Sequence, residues 1–339
     1  MLPEILFEVD APCGVITLNR PRALNALTYE MTVSLRRQLE LWQEDPRVHV
    51  VIICAEGSAF CAGGDVRLIY ARRNDLAYQL EFFAQEYDLN QFLHDYPKPV
   101  IALMQGFTMG GGVGVGLHTS HPVASNSFVF AMPETTIGFF PDIGSSYLMN
   151  QLSRGWSVYL GLIGHRLYAH QAVSLGLVHA VVPQECWPML RDQLMITDWS
   201  KDPHACTSQV IAAWSQPTLA QHAPELPVPF SQSNSLEELM DQLSDLNTDT
   251  ALNIRTLLLQ KAPLSLHVTF EQRQRAQGLS LFECLQMDRI LVKHFMQDQD
   301  FYAGVRSLLI DKDQKPQWQP HNLSSVSSSK IESYFDAGV

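Results

Sequence analysis

Apolar positions follow two different spacings in the first hundred residues. The runs ILFEV and GVITL flank a turn at Pro12-Cys13-Gly14 and predict two strands. The continuous apolar runs VHVVIICA and KPVIALMQG predict strands that are buried on both faces. Between these groups lies a stripe at helical spacing, formed by Met31, Leu35, Leu39 and Trp42. It follows Thr28, so the pattern predicts a helix over 28–43 with Thr28 as its N-cap.

The alternation of strand and helix then continues. A mixed helical pattern over roughly 75–94 precedes KPVIALMQG, and the runs HPVASN and SFVFAMPE predict further strands. Glycine-rich turns follow several of the buried strands. This order predicts an α/β fold with ligand chemistry at the ends of the strands.

Beyond residue 150 the pattern is mainly helical, and three segments are predicted. Residues 1–196 form the α/β core. Residues 197–249, rich in Ser, Gln, Asp and Pro, form a polar insertion or linker with a short helix near SLEELMDQL. Residues 250–339 form a helical region that packs on the core. Within it, SLFECLQMDRILVKHFMQ begins with a capping box made by Ser280 and Glu283.

Two glycine clusters each follow a predicted buried strand. The run MGGGVGVG contains four glycines within five positions, at 110, 111, 112 and 114, and FCAGGDVR contains Gly63 and Gly64. One interpretation is tight packing between strand and helix. The other is that backbone N–H groups approach a ligand with no Cβ in the way, and two such groups aimed at one oxygen form an oxyanion hole. Neither cluster matches a nucleotide-binding fingerprint.

Two carboxylates, Glu134 and Asp142, lie in the stretch FVFAMPETTIGFFPDIGSSY. They can be a helix cap and a surface turn, or a pair of catalytic acids in a mostly apolar pocket. The apolar neighbours Phe139, Phe140 and Ile143 favour the second interpretation. They predict that desolvation raises the pKa of at least one of the two acids.

Composition narrows the function classes. The chain has 339 residues, of which 46% are hydrophobic and 17% are charged, and its net charge is −12. This charge argues against nucleic acid and anionic membranes as partners, although a local site can still bind a phosphorylated ligand. The six cysteines form no C-x-x-C pair, and no Cys/His cluster has the spacing of a zinc site. We therefore expect free thiols and no metal.

These motifs, together with further ones, resemble the crotonase superfamily, also called the enoyl-CoA hydratase/isomerase fold. The resemblance rests on LNRPRALNAL, FCAGGDVR, GFTMGGGVGVGLH and AMPETTIGFFPDIG. The segments KAPLSLHVT, FYAGVR and RSLLIDKDQKPQWQP are similar to the 3-hydroxyisobutyryl-CoA hydrolase branch. The fold that the resemblance implies is an α/β spiral of ββα units with a helical C-terminal region.

The resemblance also implies a site for an acyl-CoA. The backbone N–H groups of Gly64 and Gly111 match the pair that holds the thioester oxygen in this family. The positions that match CoA-contacting stretches are Arg22, Ala23 and Leu24, and Ala62 to Asp65. The cations that meet the CoA phosphates are not evident from the sequence, and Arg22 and Lys98 are the candidates.

Three acids correspond to family positions. Glu134 matches one of the two catalytic Glu residues of hydratases, and Asp142 matches a second acid of the hydrolase branch. Glu86 matches an acid near the acyl group, although on a predicted helix it can equally be a solvated surface residue. Where hydratases keep a further Glu, this chain has Gly114. Addition of water to a double bond requires both carboxyls, so this departure favours a hydrolase.

The function expected from the resemblance is hydrolysis of 3-hydroxyisobutyryl-CoA to 3-hydroxyisobutyrate and CoA, a step of valine breakdown. Glu134 either attacks to give an anhydride or acts as a base toward water. An enoyl-CoA isomerase or hydratase is an alternative, and an isomerase needs only one base. A catalytically inactive CoA-binding or RNA-binding relative is a third hypothesis, against which the negative charge and the intact glycine pair argue.

Cellular context is predicted from composition and resemblance. No cofactor is expected apart from the coenzyme A of the substrate. Trimers or hexamers are the assemblies that the resemblance suggests. The first 18 residues carry two Glu and one Asp with no Lys or Arg, and no apolar run reaches about 18 residues. We therefore expect a bacterial cytoplasmic enzyme, or one of the mitochondrial matrix if the chain is a processed eukaryotic protein.

Overall fold

In a computed structural model of the chain, residues 3–217 and 225–338 are described. The strands among them are β1 (Ile5–Asp10), β2 (Cys13–Leu18), β3 (Val50–Ala55), β4 (Val100–Met104), β5 (Phe107–Met109), β6 (His121–Ala124), β7 (Val129–Ala131), β8 (Leu167–Tyr168) and β9 (Ala180–Val181). The α-helices of the first half are α1 (Tyr29–Glu44), α2 (Val66–Ala71), α3 (Leu76–His94), α4 (Gly111–Leu117), α5 (Ser145–Asn150), α6 (Arg154–Ile163) and α7 (Ala169–Ser174).

The helices of the second half are α8 (Trp187–Met195), α9 (Pro203–Trp214), α10 (Pro229–Gln232), α11 (Leu236–Leu246), α12 (Asp249–Leu259), α13 (Pro263–Arg275), α14 (Leu281–Gln297), α15 (Asp300–Val305) and α16 (Ser328–Ser333). Short 3-10 helices lie at Pro21–Ala23, Glu134–Ile137, Gln184–Cys186 and Leu323–Ser325, and a π-helical turn at Arg306–Ile310.

The chain divides into two compact units, each drawing on several stretches of sequence. The first unit comprises Met1–Gly64, Gln85–Ala131 and Arg166–Ala223. The second comprises Asp65–Ala84, Met132–His165 and Pro224–Val339. The predicted division into the consecutive segments 1–196, 197–249 and 250–339 was drawn from composition, and it stays a prediction.

A six-stranded sheet organises the first unit, in the order β1-β2-β3-β4-β6-β9. β1 and β2 form an antiparallel hairpin, and every later neighbour is parallel. All five residues of β4 and the first four of β3 are buried, so the prediction of strands covered on both faces is confirmed. A smaller sheet pairs β5 parallel with β7, and β7 antiparallel with β8.

The core of the first unit lies between one face of the large sheet and helices α8 and α9. It is formed by Cys13, Val15, Val50, Ile52, Ile101, Leu103, Val123, Ala180, Val182, Leu190, Leu194, Val210 and Ile211. Helix α1 begins after Thr28, whose hydroxyl accepts from Met31 N at 3.2 Å. The stripe predicted for this helix is buried.

The second unit is helical and contains a cluster of phenylalanines. Phe139 lies at the centre, with its ring centroid 4.7 Å from that of Phe140. Phe83, Phe295 and Phe301 each place a ring centroid 5.4 Å from it. The cluster supplies apolar surroundings for the segment that carries Glu134 and Asp142.

The segment 197–249 contains more helix than its composition predicts. α11 corresponds to the predicted helix near SLEELMDQL, but α9 and α10 were not predicted. The residues at 218–224 within this segment, including Pro224, lie outside the described residues. In the described part of the chain, none of the helices has the length and apolar character needed to span a membrane.

The predicted capping box of α14 is confirmed. Ser280 Oγ accepts from Glu283 N at 3.3 Å, and Glu283 Oε2 accepts from Ser280 N at 2.8 Å. Two N–H groups that a helix cannot satisfy internally are therefore paired.

We predict that Ser280→Ala lowers the free energy of unfolding by about 1 kcal/mol, because the first turn of α14 loses its cap. Urea denaturation followed by circular dichroism measures this change. Ser244→Ala is the matched control, since Ser244 is an exposed residue inside α11 and alanine is the better helix former there. Equal destabilisation by both substitutions would contradict the capping role.

Candidate functional site

The two predicted glycine turns lie side by side in the first unit. Cys61 N donates to Phe107 O at 3.0 Å, and Met109 N donates to Cys61 O at 3.0 Å. This pairing brings the segment that ends at Gly64 alongside the segment that leads into α4. A methyl group added to Gly63, which has a φ of +117°, would lie 3.8 Å from Gly111 N.

Gly112 explains part of the glycine pattern by packing alone. A Cβ at this position would overlap the carbonyl oxygen of Cys61 and lie 2.8 Å from the Cys61 Cβ. Only glycine allows the start of α4 to approach the neighbouring backbone so closely. The packing interpretation therefore applies to Gly112.

Gly64, Gly111 and Glu86 converge on one small region of the first unit. A methyl group at Gly111 would lie 3.1 Å from Gly64 N and 2.5 Å from Glu86 Oε1. Gly111 is the first residue of α4, where a backbone N–H has no acceptor within its own helix. Glu86 is 4% exposed, so the alternative of a solvated surface residue is wrong. The N–H groups of Gly64 and Gly111 and the carboxyl of Glu86 thus border the space that a side chain at position 111 would fill.

A side chain at position 114 would meet the side chain of Asn90. A Cβ on Gly114 would lie 2.5 Å from Asn90 Oδ1 and 2.9 Å from Asn90 Nδ2. Asn90 is itself buried. At the position where hydratases keep a further Glu, this chain therefore has a glycine, and the polar side chain of Asn90 from α3 occupies the neighbouring space.

The predicted CoA-contacting stretch at 22–24 is exposed and lies next to Ala62. Arg22 and Ala23 end a 3-10 helix, and Ala62 N donates to Leu24 O at 3.0 Å. Asn25, which the sequence analysis did not single out, holds this turn. Its side-chain amide donates to Glu56 O and Ala59 O, both at 2.8 Å, and its side-chain oxygen accepts from Arg20 N at 2.7 Å.

Two other candidates, Lys98 and Asp65, have structural partners. Lys98 donates to the carbonyl oxygens of Trp42 and Asp45 at 2.6 and 2.8 Å, and this anchors its amine within the fold. Asp65 caps α2 by accepting from Leu68 N at 3.4 Å. Burial raises the pKa of the Cys61 thiol to about 12, so this thiol stays protonated and is a poor nucleophile. The substrate-binding role of Asp65 stays a prediction.

Glu134 occupies a buried position in the second unit. It is the first residue of the 3-10 helix Glu134–Ile137 and is 7% exposed. Its Oε2 has no hydrogen-bond partner among residues 3–217 and 225–338. Gly138 ends the helix with a φ of +73°, and a Cβ there would overlap the carbonyl group of Asp300. The helix that carries Glu134 is thus fixed by close backbone packing at its far end.

The electrostatic environment of Glu134 favours its neutral form. Burial raises the pKa of this carboxyl well above its usual range, and the charge of Asp142 raises it further. The positive charges of Arg273 and Lys261 have the opposite effect and lower the pKa of Glu134. The prediction that desolvation raises the pKa of at least one of the two acids is therefore confirmed for Glu134.

Asp142 lies on a loop with unusual backbone geometry. It is 5% exposed, and the two residues after it, Ile143 and Gly144, have φ values of +55° and +67°. A β-branched residue rarely adopts this left-handed conformation, which costs about 1–3 kcal/mol. Such a loop persists only where its surroundings hold it in place.

The sequence analysis missed three charged residues near the segment that carries both acids: Lys261 between α12 and α13, Arg273 on α13 and Asp288 on α14. Lys261 Nζ donates to Thr136 Oγ1 at 2.5 Å, two residues after Glu134 along the chain. Arg273 and Asp288 are also buried. One signal was present in the sequence: Asp288 falls four residues after Cys284, on the apolar stripe of α14.

Metal ligation receives no support from the described residues. No group of three or more His, Cys, Asp or Glu side chains in 3–217 and 225–338 is arranged to hold an ion. The carboxyls near Glu134 are accompanied by Lys261 and Arg273 rather than by further ligands.

Comparison with known proteins finds a matching family model and relatives of similar sequence. A model of the enoyl-CoA hydratase/isomerase family matches residues 13–335. A Xenopus tropicalis protein named 3-hydroxyisobutyryl-CoA hydrolase, mitochondrial, is 40% identical over 342 residues, covering 98% of this chain and 88% of the relative. The Homo sapiens protein of the same name is 37% identical over 341 residues, with the same coverage of 98% and 88%.

Solved structures share the fold. A structure described as a carnitinyl-CoA dehydratase from Mycobacterium thermoresistibile has a TM-score of 0.86 and 29% identity, covering 98% of this chain and 96% of its own. An enoyl-CoA hydratase from Rhodobacter sphaeroides has a TM-score of 0.86 and 32% identity, covering 98% and 97%. The predicted α/β fold of the crotonase type is therefore confirmed.

We predict opposite shifts in the pKa of Glu134 when its neighbours are neutralised. Asp142→Asn removes a like charge and lowers this pKa, whereas Lys261→Met removes a positive charge and raises it. Infrared titration of the protonated-carboxyl C=O band measures both shifts, and Glu134→Gln assigns the band by removing it. Shifts in the same direction, or none, would show that the two charges do not act on Glu134.

Proposed function

The chain belongs to the enoyl-CoA hydratase/isomerase family, and from this premise we propose that it hydrolyses the thioester of 3-hydroxyisobutyryl-CoA. The products are 3-hydroxyisobutyrate and CoA, and the reaction is a step of valine degradation. Relatives that carry this name are 35–40% identical over 95–98% of the chain. The observation that carries the choice of a hydrolase is position 114, where Asn90 fills the space beside a glycine and no second hydratase carboxyl is present.

The first unit supplies the proposed oxygen site. Hydrolysis of a thioester places negative charge on the carbonyl oxygen in the tetrahedral transition state. We assign the stabilisation of this charge to the N–H groups of Gly64 and Gly111, each contributing roughly 3 kcal/mol. The start of α4 adds the positive end of a helix dipole at Gly111. The neighbouring Glu86 is assigned to the acyl group.

The second unit supplies the proposed acid–base groups. Glu134 in its ionised form either attacks the carbonyl carbon and forms an anhydride, or removes a proton from water as the water attacks. In the anhydride route the C–S bond breaks as the anhydride forms, and water then cleaves the anhydride. In the direct route water adds to the carbonyl carbon and the C–S bond breaks afterwards. In both routes water supplies the new carboxylate oxygen and the proton that the departing CoA thiolate takes up. Asp142 holds the hydroxyl of the substrate or passes on a proton.

The remaining assignments concern binding and context. Arg22, Ala23, Leu24, Ala62 and Asp65 are proposed to contact the CoA moiety, and no cofactor beyond the substrate's CoA is proposed. We propose a trimer or hexamer as the assembly. The relatives are named as mitochondrial proteins, and a mitochondrial or a bacterial cytoplasmic location both agree with the proposed chemistry.

An enoyl-CoA isomerase or hydratase is the second candidate. Isomerisation moves a proton between two carbons and needs only one well-placed base, which Glu134 can supply. The structural neighbours described as a hydratase and a dehydratase make this class worth testing. Their activities act on the acyl chain and leave the thioester intact, so the two candidates differ in one product.

Release of free thiol separates the candidates. We predict that the chain liberates CoA from 3-hydroxyisobutyryl-CoA, and that Glu134→Gln or Asp142→Asn abolishes this release. A thiol reagent follows the reaction, and loss of enoyl absorbance is followed in parallel with crotonyl-CoA. Enoyl loss without thiol release would favour the second candidate, and neither signal would favour an inactive CoA-binding protein.

A methyl group at Gly111 tests the oxygen site. We predict that Gly111→Ala lowers kcat/KM by about 10²-fold or more, because the new Cβ enters the space between Gly64 N and Glu86. Gly116→Ala is the matched control on the same helix, where the Cβ meets the flexible side chain of Met104 at 2.7 Å. Equal losses in both variants would indicate damage to α4 rather than to the oxygen site.

A further inference from the structure

The loop that carries Asp142 is held by an acceptor from another helix. Gly144 N donates to Asp288 Oδ2 at 2.8 Å. Asp288 lies on α14, is fully buried, and its other oxygen, Oδ1, accepts from Gln272 Nε2 at 2.8 Å. The carboxylate therefore uses both oxygens and joins two helices to the loop.

Helix α13 holds the same loop from its other end. Gln272 Nε2 also donates to Pro141 O at 3.1 Å, and Arg273 Nη2 donates to Ser145 Oγ at 3.0 Å and to Pro141 O at 3.4 Å. Ser145 Oγ donates to Pro141 O at 2.8 Å and closes the loop on itself. Gln272 and Arg273 are at most 1% exposed.

The unusual backbone conformation of the loop explains why several buried side chains form hydrogen bonds with it. Ile143 is β-branched and buried, yet it adopts a left-handed backbone between Asp142 and Gly144. An unrestrained chain would leave this conformation. The hydrogen bonds at Pro141 and Gly144 hold the loop immediately before and two residues after Asp142, so they restrict where the Asp142 backbone lies.

We propose that Gln272 and Asp288 are positioning residues that hold the Asp142 loop in its reactive geometry. They act through Asp142 and have no contact with substrate in this role. The inference rests on the proposed function, because it takes Asp142 to be a group that the reaction uses. Displacement of a catalytic group by about 1 Å can reduce a rate by about 10²-fold.

The test compares one substitution at two positions of α13. Gln272→Met removes the donor to Pro141 O and Asp288, whereas Gln274→Met removes a donor to Asn234 O on the same helix. Asp288→Asn is the second test variant, since an amide has one acceptor oxygen and Asp288 uses two. Hydrogen exchange of the amides at 142–145 reports loop geometry, and saturating thioester assays report kcat per folded molecule.

The expected result is at least 10-fold faster exchange at 142–145 and a 10- to 100-fold lower kcat in Gln272→Met and in Asp288→Asn. Gln274→Met keeps both quantities within about twofold of the unmodified chain. Unchanged exchange, or faster exchange with full kcat, would overturn the positioning role. If the unmodified chain released no thiol, the proposed function would fail, while slow exchange at 142–145 would still show that the loop is held.

Discussion

Desolvation of carboxyl groups is the constraint on which the chemistry of the second unit depends. Glu134, Asp142 and Asp288 are each no more than 7% exposed. Burial raises the pKa of Glu134 well above its usual range and that of Asp288 to about 7. The folded chain therefore binds protons at Glu134 and Asp288 more tightly than the unfolded chain does. Their ionisation weakens the fold as the pH rises from the ordinary carboxyl range toward these raised pKa values.

Two buried cations, Lys261 and Arg273, oppose the rise in the pKa of Glu134 without cancelling it. Burial lowers the pKa of Lys261, and it lowers that of Arg273 to about 10. Burial therefore also destabilises the charged form of each cation. Their charges lower the pKa of Glu134, while Asp142 raises it. The protonation state of Glu134 thus depends on a balance of buried charges, and a small displacement of any of them changes it. A firmly held Asp142 loop is what such a balance requires.

Local patterns predicted the fold well wherever one face or both faces of an element are buried. The double-sided strands β3 and β4, the cap at Thr28 and the capping box at Ser280 all follow from nearest-neighbour chemistry. Helix α9 was missed because its proline-containing segment looked like a linker. Its start has a recognisable signal, however, since Asp202 caps the helix and Pro203 occupies its first turn.

The candidate site was predictable only in part, for a physical reason. The glycines and the two acids stand in local motifs, so their identity could be inferred from sequence, although their roles remain proposals. Lys261, Arg273 and Asp288 lie more than 100 residues from Glu134 along the chain, and no local pattern links them to it. Glu86 was named through the family resemblance, but only the tertiary structure shows that it is buried with its carboxylate beside Gly111.

The glycine at 114 connects the packing of the first unit to the choice of reaction. A hydratase needs two carboxyls so that one can activate water while the other delivers a proton to carbon. Here the second position has no side chain, and Asn90 lies within 2.5–3.0 Å of where a Cβ would be. Restoring a glutamate would require the displacement of a buried polar residue on α3 as well as a substitution on α4. Hydrolysis delivers no proton to carbon, so the proposed pair of Glu134 and Asp142 can serve it without a carboxyl at position 114.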